Sequence, residues 1–455
     1  MFKEINVNAP NIDLPDNKPF QRILNNLGFL IKGRGIAAIM SFGSTLLMAR
    51  VLEPENFGKV ILILAYILLI RGLFDFQLSE SIIRFGVKAE KEGDTNRLRR
   101  LINICWRIDL IVAIVATIIG GLFASITGYF LNWTYHDVLM LQGYSLVLLS
   151  TGNGTSTGIL RFLDRFDLLG KIMTIGSFIR FIGVTVLWWF NAEVEMFLVI
   201  IAVAYITENF SMIWFGWREY KNKIGEIPLV KGKKTGNFRV KEFEGLRAFL
   251  WINYWQSNLD ITPKHLVVML AGYLLGASEA GLLRLARELS SLLTHPANLL
   301  RQVLFIDLSR ISHQENSDLK LVTYRTALGG GLVGFFFVLI SWFFGNDFLY
   351  LSVGQEYVAA APLLTLLLLA ATFDLVAASL RSAAYAIGYA SKVLRVYIIS
   401  TIIYISCFAG FTSWFGLVGA GFAACASTIF PTIMMFMIIK KSKLTVSKTT
   451  ANITE

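Results

Sequence analysis

Apolar stretches of roughly 20 residues recur at short spacing between about Gly35 and Ile439, and a helix of that length can cross a bilayer. A helix satisfies its own peptide groups without water, so the pattern restricts this chain to a bundle of membrane-spanning helices. The composition agrees, because 55% of the residues are hydrophobic and 16% are charged, whereas a soluble domain carries about 25% charge. A soluble multidomain fold is excluded.

The apolar stretches predict an all-α polytopic membrane protein with twelve transmembrane helices, six in each half. The first six helices are expected at about Gly35–Leu52, Gly58–Phe76, Ile104–Leu122, Val138–Gly158, Ile172–Phe190 and Met196–Phe215. The second six are expected at about Phe249–Leu275, Ala280–Leu304, Leu321–Phe344, Tyr357–Leu380, Val393–Phe411 and Leu417–Ile439. Short loops imply that consecutive helices run antiparallel.

The distribution of basic residues predicts the orientation of the helices. Alternate loops lack Lys and Arg, and these are residues 51–55, 124–137, 191–195, 276–280, 346–356 and 412–416. The intervening loops are basic, for example with Arg84, Lys88, Arg161 and Lys392, so they should face the cytoplasm together with both chain ends. The net charge of +11 is explained by this orientation, and we expect no nucleic-acid partner.

Neither chain processing nor cysteine chemistry is indicated. The first thirty residues are polar and contain three prolines, so a cleavable signal peptide is not expected. The three cysteines, Cys105, Cys407 and Cys425, lie far apart inside apolar stretches, where they are expected to pack as small side chains rather than form disulfides or bind metal.

The chain divides into two predicted lobes. Expected boundaries are a cytoplasmic segment 1–34, a first lobe 35–217, a basic linker 218–246, a second lobe 247–439 and a cytoplasmic tail 440–455. The linker's lysines are explained by a solvated cytoplasmic loop or by contact with anionic lipid headgroups.

A weak internal repeat supports the two lobes. The segment Leu52–Gly58 corresponds to Leu275–Gly281 with the same Leu-to-Gly spacing, and Leu160–Lys171 corresponds to Leu380–Lys392. Six helices return the chain to the same side of the membrane. The lobes should therefore be pseudo-symmetric about an axis along the membrane normal, around a central cavity.

Three segments carry a family resemblance. The stretches Met48-Ala-Arg-Val-Leu-Glu-Pro-Glu-Asn-Phe-Gly58 and Phe74-Asp-Phe-Gln-Leu-Ser-Glu-Ser-Ile-Ile-Arg84 resemble polysaccharide transporters of the Wzx flippase type. Residues 274–286 are similar to that family's junction between helices 7 and 8, with Leu283 in place of the usual tyrosine. This family belongs to the superfamily that contains the MATE drug transporters and the lipid II flippase.

The resemblance implies a function. The cargo would be an undecaprenyl-diphosphate-linked oligosaccharide for O-antigen, capsule or exopolysaccharide, which moves to the outer leaflet of the bacterial inner membrane by alternating access. Polysaccharide polymerase and chain-length machinery would be partners, with membrane lipids around the helices. No enzymatic activity and no cofactor are expected.

Ionisable residues inside spans are candidates for the transport site, because they are costly in the bilayer. Asp260 lies near the predicted midplane, and Lys264 follows one turn later with Pro263 between them. This group is typical either of a broken helix at a transport site or of a salt bridge at a packed kink.

The other charged residues form two groups of candidates. The candidates for binding the diphosphate and sugar are Lys264, Arg287, Arg180 and Arg34, because one guanidinium group can bind two phosphate oxygens at once. Asp260, Glu208 and Asp374 are candidates for coupling to H⁺ or Na⁺. Structural alternatives are a bridge between Arg180 and Glu208 and snorkelling of Arg34 beside Lys32.

Further intramembrane residues have structural explanations. Arg71 with Asp75, and Arg284 with Glu288, are four apart and can neutralise each other on one helix face. His295 can either carry a proton or pack through a hydrogen bond.

Three alternative functions share parts of this pattern. A MATE-type antiporter for cationic drugs should have a cavity dominated by carboxylates, and the basic candidates argue against it. A polysaccharide polymerase typically has a large outer loop with arginines, whereas these outer loops are short and lack them. A lipid II flippase usually has fourteen helices.

Overall fold

The computed structural model describes residues 19–225, 243–291, 293, 319–387 and 389–441. In these ranges every regular element is helical. The helices of the first half are α1 (Pro19–Val51), α2 (Pro54–Leu73), α3 (Leu78–Lys91), α4 (Thr95–Phe130), α5 (Tyr135–Ser145), α6 (Gly154–Phe162), α7 (Phe166–Trp189) and α8 (Val194–Tyr220). The second half contains α9 (Leu246–Leu275), α10 (277–291 among the described residues), α11 (Leu319–Ser352), α12 (Ala361–Ala386) and α13 (Ala390–Lys441).

Seven helical segments within the described ranges are long and apolar enough to cross a membrane: Pro54–Lys91, Thr95–Phe130, Phe166–Trp189, Val194–Gly225, Leu321–Ser352, Gln355–Tyr385 and Ser391–Lys441. Their outer faces carry large apolar side chains that a soluble protein would bury. On α11, for example, Phe336 is 60% exposed and Trp342 is 72% exposed. The chain is therefore a multi-pass membrane protein.

The last of these segments is a helical hairpin. Gly416 interrupts α13 with φ 57° and ψ −140°, a backbone conformation that glycine adopts without a Cβ clash. Ser400 Oγ donates to the carbonyl oxygen of Ser427, which shows that the two halves of α13 run side by side. The break lies where the sequence predicts the loop between helices 11 and 12.

The predicted fourth span is interrupted. A 3₁₀ segment, Leu146–Thr151, follows α5, and residues up to Asn153 separate it from α6. The short run Thr151-Gly-Asn-Gly154 explains the break, because glycines disfavour continuous helix.

The basic stretch after the second span is a helix rather than a loop. In α3, Leu78, Ile82 and Ala89 are buried while the lysines face outward. The apolar face packs with α4, α6 and the start of α9 in one hydrophobic cluster. Orientation rules identify this segment as basic but do not distinguish a loop from an amphipathic helix.

The chain separates into two compact units. The first contains residues 1–51 and 63–266, where α1 packs on α7 and α7 on α8. The second contains residues 52–62 and 267–455, where α11 packs on α12 and α12 on α13.

Both flanks of the predicted basic linker belong to the first unit. Arg99 of α4 donates to the carbonyl oxygens of Ile224 and Gly225 where the first flank ends. On the other flank, Phe243 packs edge-on against Phe85 of α3, with ring centroids 6.5 Å apart. Residues 226–242, with most of the predicted linker's lysines, lie outside the described ranges.

The two copies of the predicted repeat contact each other inside the second unit. A Cβ on Gly58 would lie 1.8 Å from the carbonyl oxygen of Ala277, and one on Gly281 would lie 3.1 Å from the Gly58 Cα. Tyr357 holds the same segment, since its hydroxyl donates to the Leu52 carbonyl oxygen at 2.8 Å. Glycine recurs in both copies because the backbones of α2 and α10 touch there.

Substituting Gly58→Ala should therefore destabilise the protein by about 1–3 kcal/mol or more, because the new methyl group has no room beside the α10 backbone. The midpoint of thermal unfolding in detergent micelles measures this loss. Gly329→Ala on α11 is the matched control, because a Cβ there meets nothing within 4 Å. Equal midpoints for the two variants would contradict the close packing of α2 and α10.

Candidate functional site

A network of polar side chains lies among the helices of the first unit, and Arg71 near the end of α2 is at its centre. Its Nη1 donates to the hydroxyl of Tyr205 on α8, and its Cζ lies 5.6 Å from the centre of that ring. The guanidinium also interacts electrostatically with Asp75 and Glu208. This cation among apolar helices thus interacts with two carboxylates and a phenol.

Arg180 on α7 connects this network to α1. Its Nη2 donates to Thr45 Oγ1 at 2.9 Å, and its Nη1 lies 3.5 Å from Ser41 Oγ. Both hydroxyls lie one turn apart on α1, so α1 presents them to the guanidinium together.

Glu208 on α8 packs directly against α7. A Cβ at Gly176 would lie 2.3 Å from Glu208 Oε2, so the glycine provides the space that the carboxyl group occupies. Tyr144 of α5 interacts electrostatically with both Tyr205 and Arg180. The predicted candidates Arg180 and Glu208 thus lie in the same network as Arg71.

The turn between α2 and α3 positions Asp75. Because α2 ends at Leu73, Asp75 lies beyond the helix, and its carboxylate accepts from the backbone N–H and side-chain Nε2 of Gln77 at 2.9 and 2.8 Å. Gln77 has a left-handed backbone with φ 50°. Its Nε2 also donates to Ser257 on α9 at 3.0 Å. Asp75 therefore does not share a helix face with Arg71 as predicted, although the two side chains interact electrostatically across the turn.

Asp109 on α4 holds the interrupted fourth span in place. The residue is 8% exposed, and its carboxylate accepts from the backbone N–H of Thr155 at 2.7 Å. A carboxylate at this position accepts a hydrogen bond from a backbone N–H that the first turn of α6 leaves unpaired. Its negative charge also interacts favourably with the positive end of the α6 helix dipole. Gly154 leaves room for it, because a Cβ there would lie 3.1 Å from Asp109 Oδ1.

Asn153 links this break to α8. Its Nδ2 donates to Asn209 Oδ1 at 2.6 Å, and Asn209 Nδ2 donates to Ser150 Oγ at 3.2 Å. Asn209 follows Glu208, so α8 contributes to both the Arg71 network and the break.

A cavity of about 230 Å³ lies between the two interruptions. Its polar lining includes Arg71, Asp75, Gln77, Asp109, Asn153 and Arg161. The α2–α3 turn and the break before α6 both line this polar cavity.

Charged candidates in the second unit form shorter local contacts. Arg287 Nη2 on α10 donates to the Tyr404 hydroxyl at 2.8 Å. Asp374 on α12 forms an ion pair with Arg381 at 3.0 Å, and the Arg381 Cζ lies 4.2 Å from the centre of the Tyr397 ring. The predicted pair of Arg284 and Glu288 is present at 2.8 Å.

Other predicted candidates lie apart from these contacts or outside the described side chains. Arg34 and its neighbour Lys32 are exposed on α1, and Lys264 is exposed on α9. The side chains of Asp260 and Pro263, and residues 295 and 296 entirely, are outside the described set. The predicted pairing of Asp260 with Lys264 therefore stays a prediction.

Sequence reasoning missed Gln77, Asp109 and Asn153 as site residues. A signal existed for Asp109, which is an acidic residue inside a long apolar stretch. For Asn153 the glycines on either side indicate a broken helix. Gln77 gave no signal, because its position depends on a turn and on contact with α9.

Comparison with known proteins agrees with this architecture. Solved structures with a similar fold include an inward-facing MATE multidrug resistance transporter of the MOP superfamily, with TM-score 0.69, 14% identity and coverage of 90% of this chain and 97% of that one. The lipid II flippase MurJ in an inward closed conformation gives TM-score 0.68 and 15% identity over 91% of this chain and 87% of that one. Both are transporters or flippases rather than enzymes. The chain thus has the fold of the MOP superfamily.

The Polysaccharide biosynthesis protein family matches residues 23–312, and this chain belongs to that family. A relative, the inner membrane protein YghQ of Escherichia coli K12, is 22% identical over 351 residues, which are 76% of this chain and 96% of that protein. These matches confirm the family resemblance. With the apolar helices, they identify a multi-pass protein of the inner membrane.

The structural role of Asp109 can be tested by substitution. Asp109→Ala removes the acceptor at the start of α6 and should cost about 0.5–2 kcal/mol of stability. Asp109→Asn keeps a side-chain oxygen and should retain most of it. Thermal unfolding of both variants in detergent measures the difference. If alanine and asparagine proved equally destabilising, capping of α6 would not be the role of this carboxylate.

Proposed function

We propose that this protein is a flippase that moves an undecaprenyl-diphosphate-linked oligosaccharide from the cytoplasmic to the outer leaflet of the inner membrane, for surface polysaccharide such as O-antigen, capsule or exopolysaccharide. Membership of the Polysaccharide biosynthesis protein family supports the pathway. The observation that carries the proposal is the mixed-charge network around Arg71 and Arg180. Such groups are costly among spanning helices unless they serve a polar path.

The proposed architecture has twelve spans in two lobes of six. The interrupted helix of α5 and α6 is counted as one span and the hairpin α13 as two, while α3 lies at the cytoplasmic surface. With α10 counted as the eighth span, this assignment gives the twelve crossings of the proposal. Both chain ends are then cytoplasmic, and the lobes are related by an axis along the membrane normal.

In the proposed mechanism, cations hold the diphosphate and carboxylates couple to H⁺ or Na⁺. Arg287, Lys264, Arg180 and Arg34 supply the donors, since guanidinium groups bind phosphate oxygens in pairs. Asp260, Glu208 and Asp374 are the proposed coupling residues. The sugar crosses through the protein while the polyprenyl chain stays in lipid.

A MATE-type antiporter is the second candidate, because the fold likeness to a MATE transporter is as high as to MurJ. Such a protein exports cationic drugs and is expected to have an acidic cavity. The arginines in the network favour the flippase instead. Polymerase and chain-length proteins are proposed partners of the flippase on the outer side.

Reconstituted vesicles provide the test of function. Leaflet exchange of a lipid-diphosphate-sugar should fall by about tenfold or more in Arg287→Ala and in Lys264→Ala, because a hydrogen bond to a charged group contributes about 1.5–3 kcal/mol. Arg97→Ala is the control, since Arg97 pairs with Glu92 at the surface. Exchange by the wild type no faster than in empty vesicles would exclude the flippase. Normal exchange in both variants would exclude the phosphate-binding roles.

Reporter fusions test the proposed topology. A green fluorescent protein joined after Lys441 should fluoresce, and alkaline phosphatase at the same site should be inactive, because both report a cytoplasmic end. Fusion at Gly416 should give the opposite pattern. Active phosphatase after Lys441 would contradict an even number of spans with both ends inside.

A further inference from the structure

We propose that the cavity of the first unit binds one neutral monosaccharide unit of the transported glycan. This inference rests on the proposed function and adds a sugar site separate from the proposed diphosphate residues. The cavity's volume of about 230 Å³ is below the 300–1,000 Å³ typical of pockets for drug-sized ligands. It suits a single sugar ring rather than a longer oligosaccharide.

The charge balance of the lining selects against ions. Two arginines, Arg71 and Arg161, face two carboxylates, Asp75 and Asp109. The carboxylates disfavour phosphate, and the guanidinium groups disfavour a metal cation. From outside the lining Glu80 pairs with Arg161 at 3.0 Å, and the Asp109 carboxylate is likewise engaged by the backbone N–H of Thr155, so one group of each sign has a partner in the protein. A polar ligand without charge is the class that this lining favours.

The lining offers both donors and acceptors. Among the described residues, the only hydrogen bond of the Arg71 guanidinium is made by Nη1 to Tyr205, so Nε and Nη2 are left for a ligand. Gln77 and Asn153 use their amide nitrogens within the protein, which leaves their carbonyl oxygens as acceptors. Sugar hydroxyl groups donate and accept at once, and they match such a set.

Apolar groups complete the site. Phe74, Phe76, Val112 and Ala113 line the same cavity and offer contact to the C–H faces of a sugar ring. Phe76 is fixed by stacking on Tyr254 of α9, with ring centroids 4.9 Å apart. Two neighbouring contacts thus hold this turn against α9, from Gln77 to Ser257 and from Phe76 to Tyr254.

Saturation-transfer NMR on the full protein in nanodiscs tests the proposal. The probes are glucose, galactose, N-acetylglucosamine, glucuronic acid and inorganic phosphate. We expect saturable signals from at least one neutral sugar and weaker or absent signals from glucuronic acid and phosphate. Binding should weaken by about tenfold or more in Arg71→Gln and in Asp75→Asn, because each removes a charged hydrogen-bonding partner. Arg97→Gln should bind as the wild type does.

Gln77→Asn keeps the test decisive if Arg71→Gln does not fold. Asparagine tolerates the left-handed backbone at this position but is shorter, so sugar binding should fall while the thermal midpoint changes little. The proposal is overturned if no neutral sugar binds, if phosphate binds more tightly than every sugar, or if the folded variants bind as the wild type does.

The vesicle assay separates this proposal from the proposed function. Normal flipping by a protein that binds no sugar in the cavity would overturn the sugar site alone. Sugar binding without any flipping would overturn the flippase and retain the site.

Discussion

The first unit depends on how the charge of Arg71 is accommodated among membrane-spanning helices. A guanidinium at such a position needs partners, and here they come from the α2–α3 turn and from α8. Because the partners belong to different helices, satisfying one side chain fixes where α2 ends and how α8 is rotated. The adjacent arginine, Arg180, has the same effect on α1 and α7. Electrostatic cost in the bilayer thus becomes a constraint on helix packing.

The two interruptions follow from the same constraint. Backbone that leaves the helix and is buried from water must find partners inside the protein. The Asp109 carboxylate accepts a hydrogen bond from a backbone N–H in the first turn of α6, and the Asp75 carboxylate accepts one from the backbone N–H of Gln77 in the turn after α2. Each carboxylate therefore stabilises an irregular segment, and the two segments enclose a polar cavity. The acidic groups have a structural role even though they line a candidate binding site.

Much of the architecture could be predicted from the sequence, because hydropathy and basic-residue bias report directly on burial in lipid. The seven apolar spans among the described residues, the break at Gly416 and the glycines at 58 and 281 all leave local signals. The amphipathic helix α3 was missed because a basic surface segment has the same charge signature as a loop. The site was predicted only in part. Arg180 and Glu208 were predicted as candidates with a direct bridge between them as the alternative, whereas their connection through Arg71 and Tyr205 depends on tertiary packing.

The balance of charge in the network bears on what such a site can transport. A cavity that bound its cargo through a strong net charge would hold an ion tightly and release it slowly on the other side of the membrane. In the first-unit cavity the Arg71 guanidinium already interacts with Asp75, Glu208 and the Tyr205 hydroxyl. The binding free energy that a ligand gains there is only the difference between its hydrogen bonds to the protein and its hydrogen bonds to water, which is about 0.5–1.5 kcal/mol for each neutral contact. Weak, directional recognition of this kind would let the units of the proposed glycan cargo enter and leave, and in the proposed mechanism it leaves tight binding to the diphosphate.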